Sequence, residues 1–221
     1  MPGSFAEDRY RFMPQALRPA PAQLACEYAL TLARDPQAYQ PEPEFKARGR
    51  YADALGEALL INLQGLVEKV AGCALLPCYS YLRIYQRGAV LPRHLDRPSC
   101  EISTTLTLGF NADAPWPIGV ERDGVPASVV LGVGDMLVYK GAQVVHWRER
   151  FEGEWWVQVF LHYVAAAGPY AEFRYDGRER LGPFDAARDA KRKLLPPIPQ
   201  AADPCPCLSG QPYGACHGAK P

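Results

Sequence analysis

The chain lacks a surplus of either charge: 24 lysines and arginines balance 24 aspartates and glutamates over 221 residues. That balance gives no electrostatic footprint for nucleic acid or another polyanionic partner. The short run Lys191, Arg192, Lys193 reads as a solvated helix end. Also absent is any apolar run near the roughly 20 residues that span a bilayer. The opening stretch MPGSFAEDRYRF has no apolar core of a secretory signal. The expectation is therefore a cytoplasmic protein with no membrane segment. Histidine is scarce, at four residues: His94, His146, His162 and His217. Cysteine is present in an odd number, seven, which argues against a disulfide framework in a reducing compartment. Cys26, Cys73, Cys78 and Cys100 lie scattered among apolar residues and read as buried small hydrophobes. Cys205, Cys207 and Cys216 crowd the last stretch of the sequence.

What is present divides the chain into zones. Residues 20–72 read as helical: Leu24, Tyr28 and Leu32 recur at helical spacing after Pro19 and Pro21, and Leu55, Leu59, Leu63, Leu66 and Val70 form a longer stripe ending near Gly72. Both stripes are expected to pack on a sheet. From residue 78 to 164 the pattern changes to strands. CYSYLRIY ends at a Gly88 turn. EISTTLTLGF alternates, with Ile102, Thr104, Leu106 and Leu108 on one face and Ser103, Thr105 and Thr107 on the other. PIGVERDGVPASVVL reads as two strands about Asp123-Gly124. DMLVYKG, QVVHWRE and WWVQVFLHYV complete roughly eight strands. Helices followed by such a series predict an α+β domain, a helix-backed β-sandwich or barrel. Residues 194–204, LLPPIPQAADP, read as a proline-rich linker.

RHLD places His94 and Asp96 two residues apart, directly after a strand and a glycine turn. In extended backbone a period of two puts both side chains on one face. His146 lies 50 positions after Asp96, on a late strand that antiparallel pairing can bring alongside. Two imidazoles and one carboxylate on one face of an octahedron form the facial triad of non-haem Fe(II) sites, with three positions open.

The segments RIYQRGAVLPRHLDRPSCEISTTLTLGFN and GDMLVYKGAQVVHWRERFEGEWWVQVFLHYV resemble the 2-oxoglutarate/Fe(II)-dependent dioxygenases, on their prolyl 4-hydroxylase-like branch. The resemblance runs from about Cys78 to Val164. It implies a double-stranded β-helix, a jelly-roll or cupin-like barrel, within an oxygenase domain of residues 1–193. It also implies Fe(II) held by His94, Asp96 and His146, with 2-oxoglutarate and O2 as cosubstrates and succinate and CO2 released as a substrate is hydroxylated. Tyr85 matches the family's tyrosine that hydrogen-bonds 2-oxoglutarate. The chain departs from the family at one place. The window after the distal histidine that should carry a cation for the far carboxylate reads Trp155, Trp156, Val157, Gln158. Three residues are candidates to replace it: Arg83, on the face of Tyr81 and Tyr85; Gln158, a donor without charge; and Arg148, two positions after His146. His162 reads as a structural histidine, and Trp147, Trp155 and Trp156 as packing or the rim of the substrate mouth.

DPCPCLSGQPYGACHG carries Cys205 and Cys207 one residue apart, then eight residues, then adjacent Cys216 and His217. Three thiolates and an imidazole make a closed tetrahedral structural zinc set. So short a segment, residues 205–221, has no core of its own and draws its folding energy from the metal. The spacing resembles the SEC-C zinc motif, which implies a protein partner and no catalytic role. Two other readings compete with the oxygenase: a cupin-like metalloenzyme that does not use 2-oxoglutarate, and a non-catalytic module acting through the zinc element.

Overall fold

The computed structural model describes residues 4–182, 201–202, 210–212 and 215. Cys205, Cys207, Cys216 and His217, and most of the 194–204 linker, lie outside the described residues.

The elements run α1 (Phe5–Asp8), β1 (Tyr10–Met13), α2 (Pro19–Leu32), β2 (Gln40–Glu42), β3 (Ala47–Tyr51), α3 (Ala54–Ala71), β4 (Leu75–Gln86) and β5 (Leu91–His94). They continue with β6 (Ile102–Asn111), β7 (Ile118–Arg122), β8 (Val125–Val129), β9 (Met136–Tyr139), β10 (Val145–Arg148) and β11 (Trp155–Ala165). A short 3-10 segment, Ala171–Gly177, follows. The strands make two sheets. One has seven strands in the order β1-β9-β6-β11-β4-β3-β2, the other four in the order β5-β10-β7-β8. Every pairing is antiparallel. The two sheets face each other as a double-stranded β-helix, and α2 and α3 cover the outer face of the larger one.

The alternation in β6 sorts as its sequence predicts. Ile102, Leu106 and Leu108 join the core under the helices, whereas Ser103, Thr105 and Thr107 bond to side chains between the sheets. The β7–β8 hairpin turns on Asp123 (φ 52°) and Gly124 (φ 79°), the left-handed pair that a tight two-residue hairpin requires.

Four expectations change. The packing face of α2 is Ala22, Ala25, Cys26 and Ala29, and Leu24 is 66% exposed. Small residues face inward because the helix lies close on β6: a Cβ on Gly109 would come within 2.5 Å of the Cys26 sulfur. The α3 stripe is centred on Leu60, Leu63 and Val67, with Leu55, Leu59, Leu66 and Val70 along its margins. Cys73 is exposed, while Cys26, Cys78 and Cys100 are buried. The N-terminal third also supplies strands: β1, β2 and β3 extend both edges of the larger sheet.

The segment after β11 is fastened back onto the domain. Arg97 pairs bidentately with Asp176 (2.8 and 2.8 Å), and the Tyr51 hydroxyl donates to the same carboxylate (2.6 Å). Arg178 reaches the buried Glu57 of α3 at 3.1 Å. Tyr175 and Asp176 both hold positive φ, at 56° and 57°, a conformation that survives where such bonds fix it. No helix among the described residues is long and apolar enough to cross a membrane.

Candidate metal centre

β5 and β10 pair so that His94 and His146 are direct cross-strand partners. Their ring centroids are 4.1 Å apart. Nδ1 of His94 lies 2.8 Å from the Pro92 carbonyl, and Nδ1 of His146 lies 3.0 Å from that of Val144. A carbonyl only accepts, so each Nδ1 carries the hydrogen and each Nε2 presents a lone pair. Those Nε2 atoms lie 3.9 Å and 3.6 Å from Oδ1 of Asp96. The loop carrying Asp96 is pinned by its own N–H, which donates to the Gly141 carbonyl at 3.0 Å.

Two nitrogen lone pairs and a carboxylate oxygen thus converge within 4.8 Å, with no hydrogen among the three to share. Such a cluster of acceptors repels itself unless a cation or a donor sits between them, so the donor set fits a divalent metal. Burial pushes His146 down to about 4, with Asp96 pulling the other way, so its imidazole is neutral at pH 7. Burial disfavours the Asp96 carboxylate, but in acid, where the imidazoles of His146, His162 and His94 become cations, they and the Ser103 hydroxyl outweigh that and hold it below its usual range. His94 is partly exposed and His146 is buried, so the cluster opens to solvent on the His94 side.

Gly141 is required here. A Cβ at this position would lie 2.4 Å from the Cys100 carbonyl oxygen, 2.5 Å from Oδ2 of Asp96 and 2.6 Å from Oγ of Ser103.

Elsewhere between the sheets polar side chains lie among aromatic ones. Arg148 leaves β10 on the same face as His146 and is 1% exposed. It lies between Trp116 and Trp156, 4.7 and 5.3 Å from their ring centroids. It donates to the Trp116 carbonyl and, at 3.5 Å, to Gln158 Oε1. No carboxylate among the described residues pairs with it. Burial lowers it to about 10, offset in part by Tyr85 and Tyr139, so it remains a cation at neutral pH.

Arg83 is placed differently. Glu42 holds it bidentately at 2.8 and 2.8 Å, and it donates to the Tyr85 hydroxyl at 3.1 Å. Phe45, Tyr81, Tyr85 and Phe160 surround its guanidinium. Tyr85 is fully buried, its ring edge-on to Trp116 at 5.1 Å. Gln158 donates to Thr105 Oγ1 (2.6 Å), and its carbonyl oxygen accepts from Trp156, Thr107 and Arg148. It is largely engaged within the protein.

Sequence reasoning passed over several neighbours of this cluster. Tyr139 lies with its hydroxyl 3.4 Å from His146 Nε2. Ser103 donates to Asp96 Oδ2 at 2.7 Å. Glu42 neutralises Arg83 across a separation of 41 positions. Only the alternation of β6 hinted at any of these, by setting Ser103 on the inner face.

The architecture matches solved structures. A prolyl-4-hydroxylase from Pseudomonas putida superposes with a TM-score of 0.61 at 14% identity, over 73% of this chain and 95% of that one. The fold is that of the 2-oxoglutarate/Fe(II) oxygenases. The oxygenase fold is shared by HygX from Streptomyces hygroscopicus, solved with nickel and 2-oxoglutarate bound, at a TM-score of 0.57 and 12% identity over 74% of this chain and 85% of that one. It is shared too by the non-heme α-ketoglutarate-dependent epimerase SnoN of nogalamycin biosynthesis, at 0.62 and 13%, over 83% and 91%. Outside the barrel, residues 202–219 match the SEC-C motif family. No curated protein sequence matches the chain.

Proposed function

We propose that the protein is an Fe(II)- and 2-oxoglutarate-dependent dioxygenase. In this reading His94, Asp96 and His146 hold the metal, and Arg148 anchors the far carboxylate of the cosubstrate. One observation carries it: Arg148 is a fully buried guanidinium with no carboxylate partner among the described residues, on the strand and face that present His146. A buried charge is costly without a counter-ion. Two residues along a strand is about 7 Å, a span suited to a five-carbon dicarboxylate held at one end by the metal and at the other by the arginine. The planar fork of Arg148 matches a carboxylate in two hydrogen bonds. Tyr85, Arg83 and Gln158 then line the pocket, with Arg83 already neutralised by Glu42.

Fe(II) with bound 2-oxoglutarate supplies O2 activation coupled to decarboxylation to succinate and CO2, and hydroxylation of a second substrate. The chain's own part is to present two neutral imidazoles and one carboxylate and to shield the pocket behind Trp116 and Trp156. The mouth stays open beside His94, where a peptide or protein residue or a small metabolite is hydroxylated. Cys205, Cys207, Cys216 and His217 lie inside the SEC-C match and are proposed to close on a structural zinc, giving a surface for a protein partner. Metal analysis of the full chain against Cys205→Ser and Cys216→Ser tests that assignment, and an unchanged zinc content overturns it.

The test of the enzyme is an anaerobic titration of Fe(II) and 2-oxoglutarate, watching for the metal-to-ligand charge-transfer band. The band forms in the wild type and is lost in His94→Ala. Gln158, in place of the family's cation, favours one second reading, a cupin-like metalloenzyme. Fe(II) binding with no band and no succinate decides for that reading.

A further inference from the structure

We propose that Ser103 and His162 form a positioning relay that holds Asp96 to a single outward oxygen; the inference rests on the metal-centre reading above. Ser103 Oγ lies 2.7 Å from Asp96 Oδ2 and 3.0 Å from Nδ1 of His162. A carboxylate only accepts, and a serine hydroxyl has one hydrogen. Ser103 therefore donates to Asp96, and the Cys100 carbonyl at 3.1 Å is left the longer contact. The hydroxyl oxygen then accepts, so Nδ1 of His162 must carry the hydrogen. This assigns His162 as the neutral Nδ1–H tautomer. Its ring is buried, 4.4 Å from that of Tyr79 and tilted 30° to it.

With Oδ2 engaged in this way, only Oδ1 faces the two histidine Nε2 atoms. A carboxylate limited to one oxygen leaves more coordination positions for cosubstrate and O2 than one that chelates. Asp96 and His162 also lie close to Cys100, but these three are better read as the backing of one metal site than as a second site. The Cys100 thiol is 3.1 Å from the Tyr79 hydroxyl, and burial pushes it up to about 12. His162 Nδ1 is committed to Ser103 and the Cys100 sulfur to Tyr79.

Two measurements on the full chain test the relay. The first is anaerobic calorimetry with Mn(II) or Co(II), alongside thermal melting to confirm folding. Ser103→Ala weakens metal binding about 10- to 100-fold, the usual effect of removing a partner behind a metal ligand, and Ser103→Thr, which keeps the hydroxyl, restores it. His162→Phe keeps a ring against Tyr79 but removes the donor, and weakens binding in the same direction. The second is 15N imidazole NMR of the metal-free protein, which reads the His162 tautomer without any metal. An Nδ1–H signal supports the relay, and an Nε2–H signal overturns it. Wild-type affinity in folded Ser103→Ala also overturns it while leaving the metal centre intact. Failure of the wild type to bind either metal removes the metal-centre reading itself, and this role with it.

Discussion

His146 and Arg148 leave β10 on the same face, one an imidazole at the metal cluster and the other a buried guanidinium with no carboxylate partner among the described residues. Under the proposed function the pair joins a metal position to a carboxylate position through a single strand. In a domain without bound dicarboxylate, that guanidinium is a cost to stability.

Arg148→Met is accordingly expected to act in opposite directions on two readouts. Replacing an uncompensated buried charge by an apolar side chain stabilises the free protein by about 1–3 kcal/mol, read as a higher melting temperature. The same change removes a charge-assisted hydrogen-bond pair and raises the dissociation constant for 2-oxoglutarate by at least about 10-fold. A variant that melts lower and binds 2-oxoglutarate unchanged contradicts both.

Metal binding should stabilise the fold by mass action. At a free Mn(II) or Co(II) concentration about 100 times the dissociation constant the gain is about 2.7 kcal/mol, or about 5–10 °C for a domain of this size. Differential scanning calorimetry should show the shift in the wild type and none in His94→Ala or Asp96→Ala.

Gly141→Ala introduces a methyl group into a space bounded by the Cys100 carbonyl, Asp96 and Ser103. Overpacking of this kind costs about 1–3 kcal/mol. Because one contact is the carboxylate proposed to ligate the metal, metal affinity should fall as well. Calorimetric titration of the variant with Mn(II) measures this, and affinity equal to wild type counts against the placement of Asp96.

Stability of the metal-free protein should fall in mild acid. Burial lowers His162 to about 4, against about 6.5 in an unfolded chain. Between those values the unfolded state binds a proton that the native state does not, so stability is complete above about pH 6.5, declines as pH falls toward 4, and levels off below. The loss is on the order of 3 kcal/mol for this residue, and His146, also at about 4, adds a similar slope. Urea denaturation at pH 7, 5.5 and 4.5 should show the decline, and His162→Phe should flatten it.

The strand series, the Asp123-Gly124 hairpin and the two faces of β6 were legible because each is written within a few residues, as alternation or turn chemistry. What escaped was set by distance or by shape. β2 and β3 contain Glu42, Arg48 and Arg50 and fall in the stretch read as helical, yet β2 pairs with β3 and β3 with β4, with Gly49 against the Tyr81 side chain and Ala47 opposite Tyr85. Leu24 looked like core, but the close approach of α2 to Gly109 selects alanines for the contact. Near the metal cluster, the triad spacing and the neighbouring arginines could be read directly from the chain. Their pairing state could not. Glu42 reaches Arg83 across 41 positions, and His162 reaches Ser103 across 59. No local pattern encodes that one arginine is neutralised and the other is not.

His94, His146 and Arg148 stand on the four-stranded sheet, whereas Ser103, Tyr139, Gln158 and His162 stand on the seven-stranded one. The gap between the sheets is thus a chemical dimension as well as a structural one. An apolar cluster that includes Ile118 and Val120 of the smaller sheet and Leu137 of the larger one packs across it. Under the proposed function, thinning or thickening that layer would move the proposed ligands against their backing as a micrometer moves its jaws, so the centre could be tuned from the core without altering one of its polar residues.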